Sequence, residues 1–99
     1  MTETSEILNY LSLNKQRLFR HYHLTQIGLF GSLSRGEGAN ESDIDLLVEF
    51  APNTNNLYEL KRQLKKEIQS VFNREVDVCR LKYLKPFVKN KILADVKYV

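Results

Sequence analysis

The chain has 99 residues, enough for one domain with one modest hydrophobic core. Hydrophobic residues make up 42% and charged residues 27%, a balance that excludes an intrinsically disordered chain. Cys79 is the single cysteine, so an internal disulfide and a multi-cysteine zinc site are excluded. No apolar run reaches the length of a membrane span, and the acidic start does not resemble a secretory signal. We therefore expect a cytoplasmic protein without a membrane partner.

The charge is unevenly distributed along the chain. Residues 1–60 carry four basic and eight acidic groups, a net charge of −4, whereas residues 61–99 carry eleven basic and four acidic groups, a net charge of +7. The basic half favours an anionic partner, such as a nucleotide, a nucleic acid or an acidic protein. Solvated helix faces explain the same composition more simply.

Two helices are predicted near the start of the chain. Thr4 or Ser5 is expected to cap the first, and Asn14 the second, with Leu13 and Leu18 forming a hydrophobic staple. A short apolar strand over 27–30, a glycine-rich loop over 31–42 and a second strand over 43–50 follow.

The second half is predicted to contain a long amphipathic helix and three shorter elements. Asn56 and Glu59 predict a capping box for a helix over 57–72, whose solvent face carries Lys61, Lys65, Lys66 and Glu67. A strand over 74–78, a helix with Pro86 in its first turn and an edge strand over 96–99 complete the chain. This alternation predicts a single α+β (α/β-like) domain over 1–99, with helices packed on a sheet.

Three carboxylates mark the candidate catalytic site. Asp43 and Asp45 are alternate residues of one strand, so both side chains lie on one face. Two like charges there repel each other unless a cation binds, and Mg²⁺ takes one or two carboxylates plus water and phosphate oxygens. Asp77, between two valines, could add a ligand for a second metal ion or act as a general base for an acceptor hydroxyl.

A glycine–serine pair directly after the first strand complements the carboxylates. Gly31 permits a tight turn and a close approach of the backbone to a phosphate, and Ser32 offers a hydroxyl and an N–H group. Arg35 lies in the same loop and could pair with a phosphate. Ser42 precedes the Asp pair, where we expect it to position these carboxylates at the nucleotide site.

The chain resembles the DNA polymerase beta nucleotidyltransferase superfamily, and within it the minimal nucleotidyltransferases (MNT). The resemblance covers nearly the whole chain and rests on Gly-Ser-Leu-Ser-Arg-Gly at 31–36 and Ser-Asp-Ile-Asp-Leu-Leu-Val at 42–48. It implies a small mixed sheet with flanking helices and Mg²⁺-dependent transfer of AMP from ATP. It places Gly31 and Ser32 at the triphosphate, Asp43 and Asp45 at Mg²⁺, with two ions expected, and Asp77 as the third acidic residue.

The resemblance also implies a protein partner. Many MNT proteins pair with a HEPN-domain ribonuclease toxin encoded by a neighbouring gene and silence it by adenylylating a tyrosine. The Arg-x(4–6)-His-x-Tyr pattern of the toxin is absent here, so the chain would be the antitoxin of a type VII-like pair. Three alternatives remain open: neutralisation by binding alone, a nucleotidyltransferase acting on a small molecule such as an aminoglycoside, and nucleic-acid binding through the basic half. Nucleic acid is the less expected direct substrate.

Overall fold

The computed structural model describes residues 3–37 and 42–99, so part of the predicted glycine-rich loop, 38–41, lies outside the described residues. Four helices, four strands and a short 3₁₀ turn at Leu81–Tyr83 are present in this part of the chain. The helices are α1 (Glu3–Leu13), α2 (Lys15–Tyr22), α3 (Leu57–Phe72) and α4 (Pro86–Asp95). The strands are β1 (Leu24–Phe30), β2 (Ile44–Phe50), β3 (Val76–Cys79) and β4 (Lys97–Tyr98).

The strands form one mixed sheet in the order β3-β2-β1-β4. β1 pairs with β2 and with β4 in antiparallel fashion, whereas β2 and β3 are parallel. Parallel neighbours need a crossover connection, and α3 provides it between β2 and β3. The predicted α+β fold with a small mixed sheet and flanking helices is therefore confirmed.

The hydrophobic core lies between the sheet and α1, α2 and α3. Alternate residues of β2, including Ile44, Leu46 and Val48, are fully buried there, as expected for a central strand. The helices contribute residues at gaps of three and four, such as Leu64 and Ile68 of α3. Because Asp45 alternates with these core residues, its side chain lies on the opposite face of the sheet.

The predicted helix caps are wrong. α1 begins at Glu3, so Thr4 lies inside the helix. Asn14 makes no side-chain cap bond, because its side-chain amide donates to the carbonyl of Tyr10 instead. Asn56 has left-handed backbone angles (φ 60°) and makes no cap bond, and Leu13 is 82% exposed, so neither the capping box nor the staple forms.

The environment of Glu67 differs from the solvent face predicted for it on α3. Instead of pointing to solvent, its carboxylate accepts hydrogen bonds from the hydroxyls of Tyr10 (2.6 Å) and Tyr22 (2.7 Å). Arg17 completes the group with an ion pair at 2.6 Å. Although burial opposes it, these three donors hold the pKa of Glu67 down at about 2. The carboxylate therefore joins α3 to α1 and α2.

α4 has a weaker apolar face than its spacing predicts. Only Ile92 is buried, whereas Phe87 is 74% exposed and Leu93 is 48% exposed. No helix in the described ranges combines the length and the apolar character that crossing a membrane requires.

Candidate active site

The sheet register places Gly31, Asp45 and Asp77 at adjacent positions across the sheet. Phe30, the last residue of β1, is the pairing partner of Asp45, and Gly31 follows directly. Asp45 in turn pairs with Asp77 across the parallel ladder. Paired residues of adjacent strands have side chains on the same face, about 4.8 Å apart along the hydrogen-bonding direction. The loop start, Asp45 and Asp77 thus lie side by side across β1, β2 and β3.

Gly31 is required by its backbone and by its neighbour. Its φ of +80° is in the left-handed region, and a Cβ at this position would be 2.3 Å from Oδ2 of Asp45. No other residue fits without moving the carboxylate. The glycine therefore lets the start of the turn lie directly against the Asp45 carboxylate.

Residues 31–37 form a tight turn that starts at this glycine. The N–H groups of Ser34, Arg35 and Gly36 donate to the carbonyls three residues earlier, and the Ser34 hydroxyl also donates to the carbonyl of Gly31 at 2.7 Å. The Ser32 hydroxyl has no hydrogen-bond partner among residues 3–37 and 42–99. The Ser32 and Leu33 N–H groups likewise donate no hydrogen bond to these residues.

Two partly buried contacts that were not predicted from the sequence support the turn. Ser34 is 1% exposed, and the Thr4 hydroxyl of α1 donates to the carbonyl of Leu33. The signal for Ser34 was present, since a serine three residues after a glycine commonly hydrogen-bonds back to the backbone of a turn. The contact from Thr4 had no local signal.

The three carboxylates influence one another electrostatically. Burial, then the charge of Asp77, then that of Asp43 raise the pKa of Asp45 from 3.8 to about 6. Asp45 is partly buried in β2, whereas Asp43, just before the strand, and Asp77 on β3 are exposed. The structure therefore brings all three predicted acids into one region, with Asp45 at its centre.

The donor set fits a magnesium ion bound together with a phosphate. Across the described residues, no three His, Cys, Asp or Glu side chains are already arranged as a metal centre. Carboxylates without a cation repel each other, and Mg²⁺ fills most of its shell with water and phosphate oxygens. The raised pKa of Asp45 is consistent with a cation that neutralises this region, with Asp43, Asp45 and Asp77 as the residues that would hold it.

The Arg35 guanidinium is paired with acidic residues other than the three candidate site carboxylates. Its guanidinium pairs with Glu37 at 2.9 Å and with Asp95 at the end of α4 at 2.5 Å. Ser42 lies next to Asp43 and is partly buried. The phosphate role of Arg35 and the positioning role of Ser42 stay predictions.

Cys79 lies beside the third carboxylate. Its thiol is 3.7 Å from Oδ2 of Asp77, and burial together with that carboxylate raises the pKa of the thiol to about 11. Since only the thiolate is an effective nucleophile, Cys79 is not the reactive group of the site.

A basic cavity adjoins Asp77 on the outer side of β3. Its volume is about 270 Å³, and it is lined by Tyr58, Lys61, Arg62, Lys65, Asp77 and Val78. The residues from α3 recur at helical spacing, so they form one stripe beside the core-facing residues of that helix. The charge pattern of α3 predicts a solvated face for these lysines, because no local pattern places them against β3.

Comparisons with known proteins show the family of the chain. A family model described as a nucleotidyltransferase domain matches residues 12–99. MJ1379 of Methanocaldococcus jannaschii, provisionally named a protein adenylyltransferase, is 36% identical over 100 residues, with 100% of both chains covered. Protein adenylyltransferase MntA of Thermococcus cleftensis is 32% identical over 101 residues, covering 100% of this chain and 98% of that one.

Solved structures give the same result. One provisionally described as a minimal nucleotidyltransferase has a TM-score of 0.75 at 25% identity, covering 93% of this chain and 92% of its own. A toxin–antitoxin structure with AMP-PNP has a TM-score of 0.66 at 26% identity, covering 86% and 68%. A tri-AMPylated Shewanella oneidensis HEPN toxin in complex with MNT antitoxin has a TM-score of 0.58 at 25% identity, covering 88% and 69%.

The chain belongs to the nucleotidyltransferase domain family. It is a nucleotidyltransferase, and within the family its relatives carry the name protein adenylyltransferase. The resemblance drawn from segments 31–36 and 42–48 is thereby confirmed.

Proposed function

We propose that this protein transfers AMP from ATP to the hydroxyl group of a tyrosine on a HEPN-domain toxin encoded by a neighbouring gene, and so acts as the antitoxin. The observation that carries the proposal is the register pair Asp45–Asp77 beside the turn that begins at Gly31. Similar proteins support the substrate and the partner: one is a protein adenylyltransferase, one toxin–antitoxin structure contains AMP-PNP, and in another a tri-AMPylated HEPN toxin is in complex with an MNT antitoxin.

The phosphates of ATP would be held by the turn after β1. The Ser32 hydroxyl and the N–H groups at the start of the turn are free to donate hydrogen bonds to the β- and γ-phosphates. Arg35 could add a charged contact if it exchanges its carboxylate partners for a phosphate. Gly31 keeps this surface open, because a Cβ there would collide with Asp45.

The carboxylates would orient the reaction at the α-phosphate. Mg²⁺, held by Asp43, Asp45 and Asp77, would supply neutralisation of the phosphate charge when bound. Asp77 lies on the edge strand, where an acceptor from another protein can reach it, and would accept the proton of the attacking hydroxyl. The hydroxyl oxygen forms a bond to the α-phosphorus, the bond from that phosphorus to the bridging oxygen of pyrophosphate breaks, and pyrophosphate leaves.

The direct test is incubation of the protein with α-labelled ATP, Mg²⁺ and the product of the neighbouring gene. The expected result is label on the partner, with a mass increase of one or more AMP groups on a hydroxyl-bearing residue. The double variant Asp43→Asn/Asp45→Asn should abolish labelling, whereas Glu75→Gln, which removes an exposed charge near β3, should not. Absence of label on the partner with any nucleoside triphosphate would refute the proposal.

The same variants separate catalysis from occlusion. If the double variant still neutralises the toxin as well as the wild type does, binding alone accounts for neutralisation. If neutralisation is lost while the complex still forms, AMP transfer is the cause.

A further inference from the structure

The basic cavity beside Asp77 is lined by three cationic side chains to which the reaction described above assigns no role. It lies between α3 and the edge strand β3, where the ladder ends and another protein can approach. Its wall from α3 carries three cationic side chains, Lys61, Arg62 and Lys65, and its floor carries Asp77 and Val78. A surface with this charge attracts anionic groups.

The cations of the cavity differ in how far they are already neutralised. Arg62 donates two hydrogen bonds to the carboxylate of Glu59, at 3.0 and 2.6 Å. Lys61 and Lys65 have no ion-pair partner in the part of the chain that the structure describes. Lys61 and Lys65 line the same cavity as Asp77. Two ammonium groups that form no ion pair with the described residues therefore lie near Asp77.

The sheet order separates this cavity from the triphosphate side. The turn at Gly31 follows β1, and the cavity adjoins β3, so β2 and Asp45 lie between them. Two strand spacings amount to roughly 10 Å. In an in-line displacement the acceptor enters opposite the leaving pyrophosphate, so the acceptor comes from the cavity side.

We propose that Lys61 and Lys65 bind carboxylate side chains that flank the acceptor hydroxyl, so that the enzyme selects an acidic acceptor segment. This inference rests on the proposed AMP transfer and names the chemistry of its protein substrate. Without the two lysines, an acidic segment would be repelled by Asp43, Asp45, Asp77 and the triphosphate. The pair offsets that repulsion and sets the hydroxyl beside Asp77.

Binding is tested first, without catalysis. The probes are two fluorescent peptides with a central phenylalanine in place of tyrosine, one flanked by glutamates and one by glutamines. The wild type is expected to bind the glutamate peptide about five- to tenfold more tightly, since exposed charge pairs each contribute modestly. The Lys61→Gln/Lys65→Gln variant should lose most of this preference, and 0.5 M salt should weaken it, because screening then acts over a few ångströms.

A matched control removes the same number of positive charges at positions outside the cavity. Lys66→Gln/Lys89→Gln removes two positive charges from residues that do not line the cavity and should keep the full preference for the glutamate peptide. If both double variants lose the preference equally, net charge rather than the cavity is responsible and the proposal is wrong.

Transfer is measured next with the tyrosine forms of the peptides. The Lys61→Gln/Lys65→Gln variant should raise KM for the glutamate peptide about five- to tenfold, leaving KM for ATP and the glutamine peptide unchanged. A change in KM for ATP instead would assign the lysines to the triphosphate and overturn the inference. The inference would also be wrong if only a peptide with an AMP-bearing tyrosine needed the two lysines for binding. Their ligand would then be a phosphate.

The two proposals fail in distinguishable ways. If the wild type and every variant transfer AMP equally well to the glutamate and the glutamine peptide, the acidic-acceptor inference is wrong and the proposed AMP transfer still holds. Absence of transfer to any acceptor, including the neighbouring gene product, refutes AMP transfer, while the phenylalanine peptides still report whether the cavity binds carboxylates.

Discussion

Asp45→Asn is expected to stabilise the free protein while it abolishes activity. Burial and two neighbouring carboxylates raise the pKa of Asp45 to about 6, against an ordinary value of 3.8. That difference corresponds to about 3 kcal/mol at neutral pH, of which about 2 kcal/mol remains after allowance for solvent screening. Asparagine keeps the shape and removes the charge, so the melting temperature should rise by roughly 8–16 °C for a domain of this size.

The pH dependence follows from the direction of the shift. A carboxyl whose pKa is raised by folding stabilises the folded state most below pH 4, and this contribution disappears as the pH rises through 6. The gain from Asp45→Asn should therefore be full at pH 7 and largely absent at pH 4. Differential scanning calorimetry with a chelator present, at both pH values, measures it.

A control and a ligand arm complete this test. Glu75→Gln removes one exposed charge from the residue before β3 and should change stability by less than about 0.5 kcal/mol. Mg²⁺ with a non-hydrolysable ATP analogue should raise the melting temperature of the wild type and leave Asp45→Asn nearly unchanged. An Asp45→Asn protein that is folded but no more stable than the wild type at pH 7 would refute the reasoning about desolvation and repulsion.

Three further variants test other contacts. Gly31→Ala should lower the free energy of unfolding by at least about 1–2 kcal/mol and remove most of the activity, because φ is +80° and the new Cβ would lie 2.3 Å from Asp45. An unchanged urea unfolding curve would contradict this. Glu67→Gln should lose about 2–3 kcal/mol at pH 7 in urea unfolding. Since folding lowers the pKa of Glu67 to about 2, that loss should shrink as the pH falls from 4.5 towards 2, and a loss independent of pH would count against it. Gly28→Ala would bring a Cβ within 2.7 Å of Val96 and should weaken the pairing of β4. Amide exchange should become faster in β4 but not in β2. If the variant and the wild type exchange equally fast in β4, the strand can shift to accommodate the methyl group.

Much of the site could be read from short segments. The spacing of Asp43 and Asp45 predicts side chains on one face of a strand, although β2 begins one residue later than predicted, at Ile44. Gly31 and Ser32 directly follow an apolar strand. These relations involve neighbours in the chain, for which backbone geometry leaves few choices. The mixed sheet came from the resemblance, because the spacing of strands does not say which of them pair.

The wrong predictions concern local signals that tertiary contacts override. Asn14 and Asn56 have the composition of helix caps, yet one donates to a carbonyl of the preceding helix and the other adopts left-handed angles. A cap bond is worth only about 1 kcal/mol, so the path of the chain between packed elements readily outweighs it.

By itself, the sequence determined the elements, the acidic pair, the glycine–serine turn and the family. Only the tertiary structure decided that Asp77 stands beside Asp45, that Glu67 joins three helices, and that Lys61 and Lys65 face the edge strand. Each of these contacts joins residues that are distant in the chain or on different elements, so it depends on sheet register and helix packing. Spacing along a sequence describes the face of one element, and it carries no information about which face of another element will meet it.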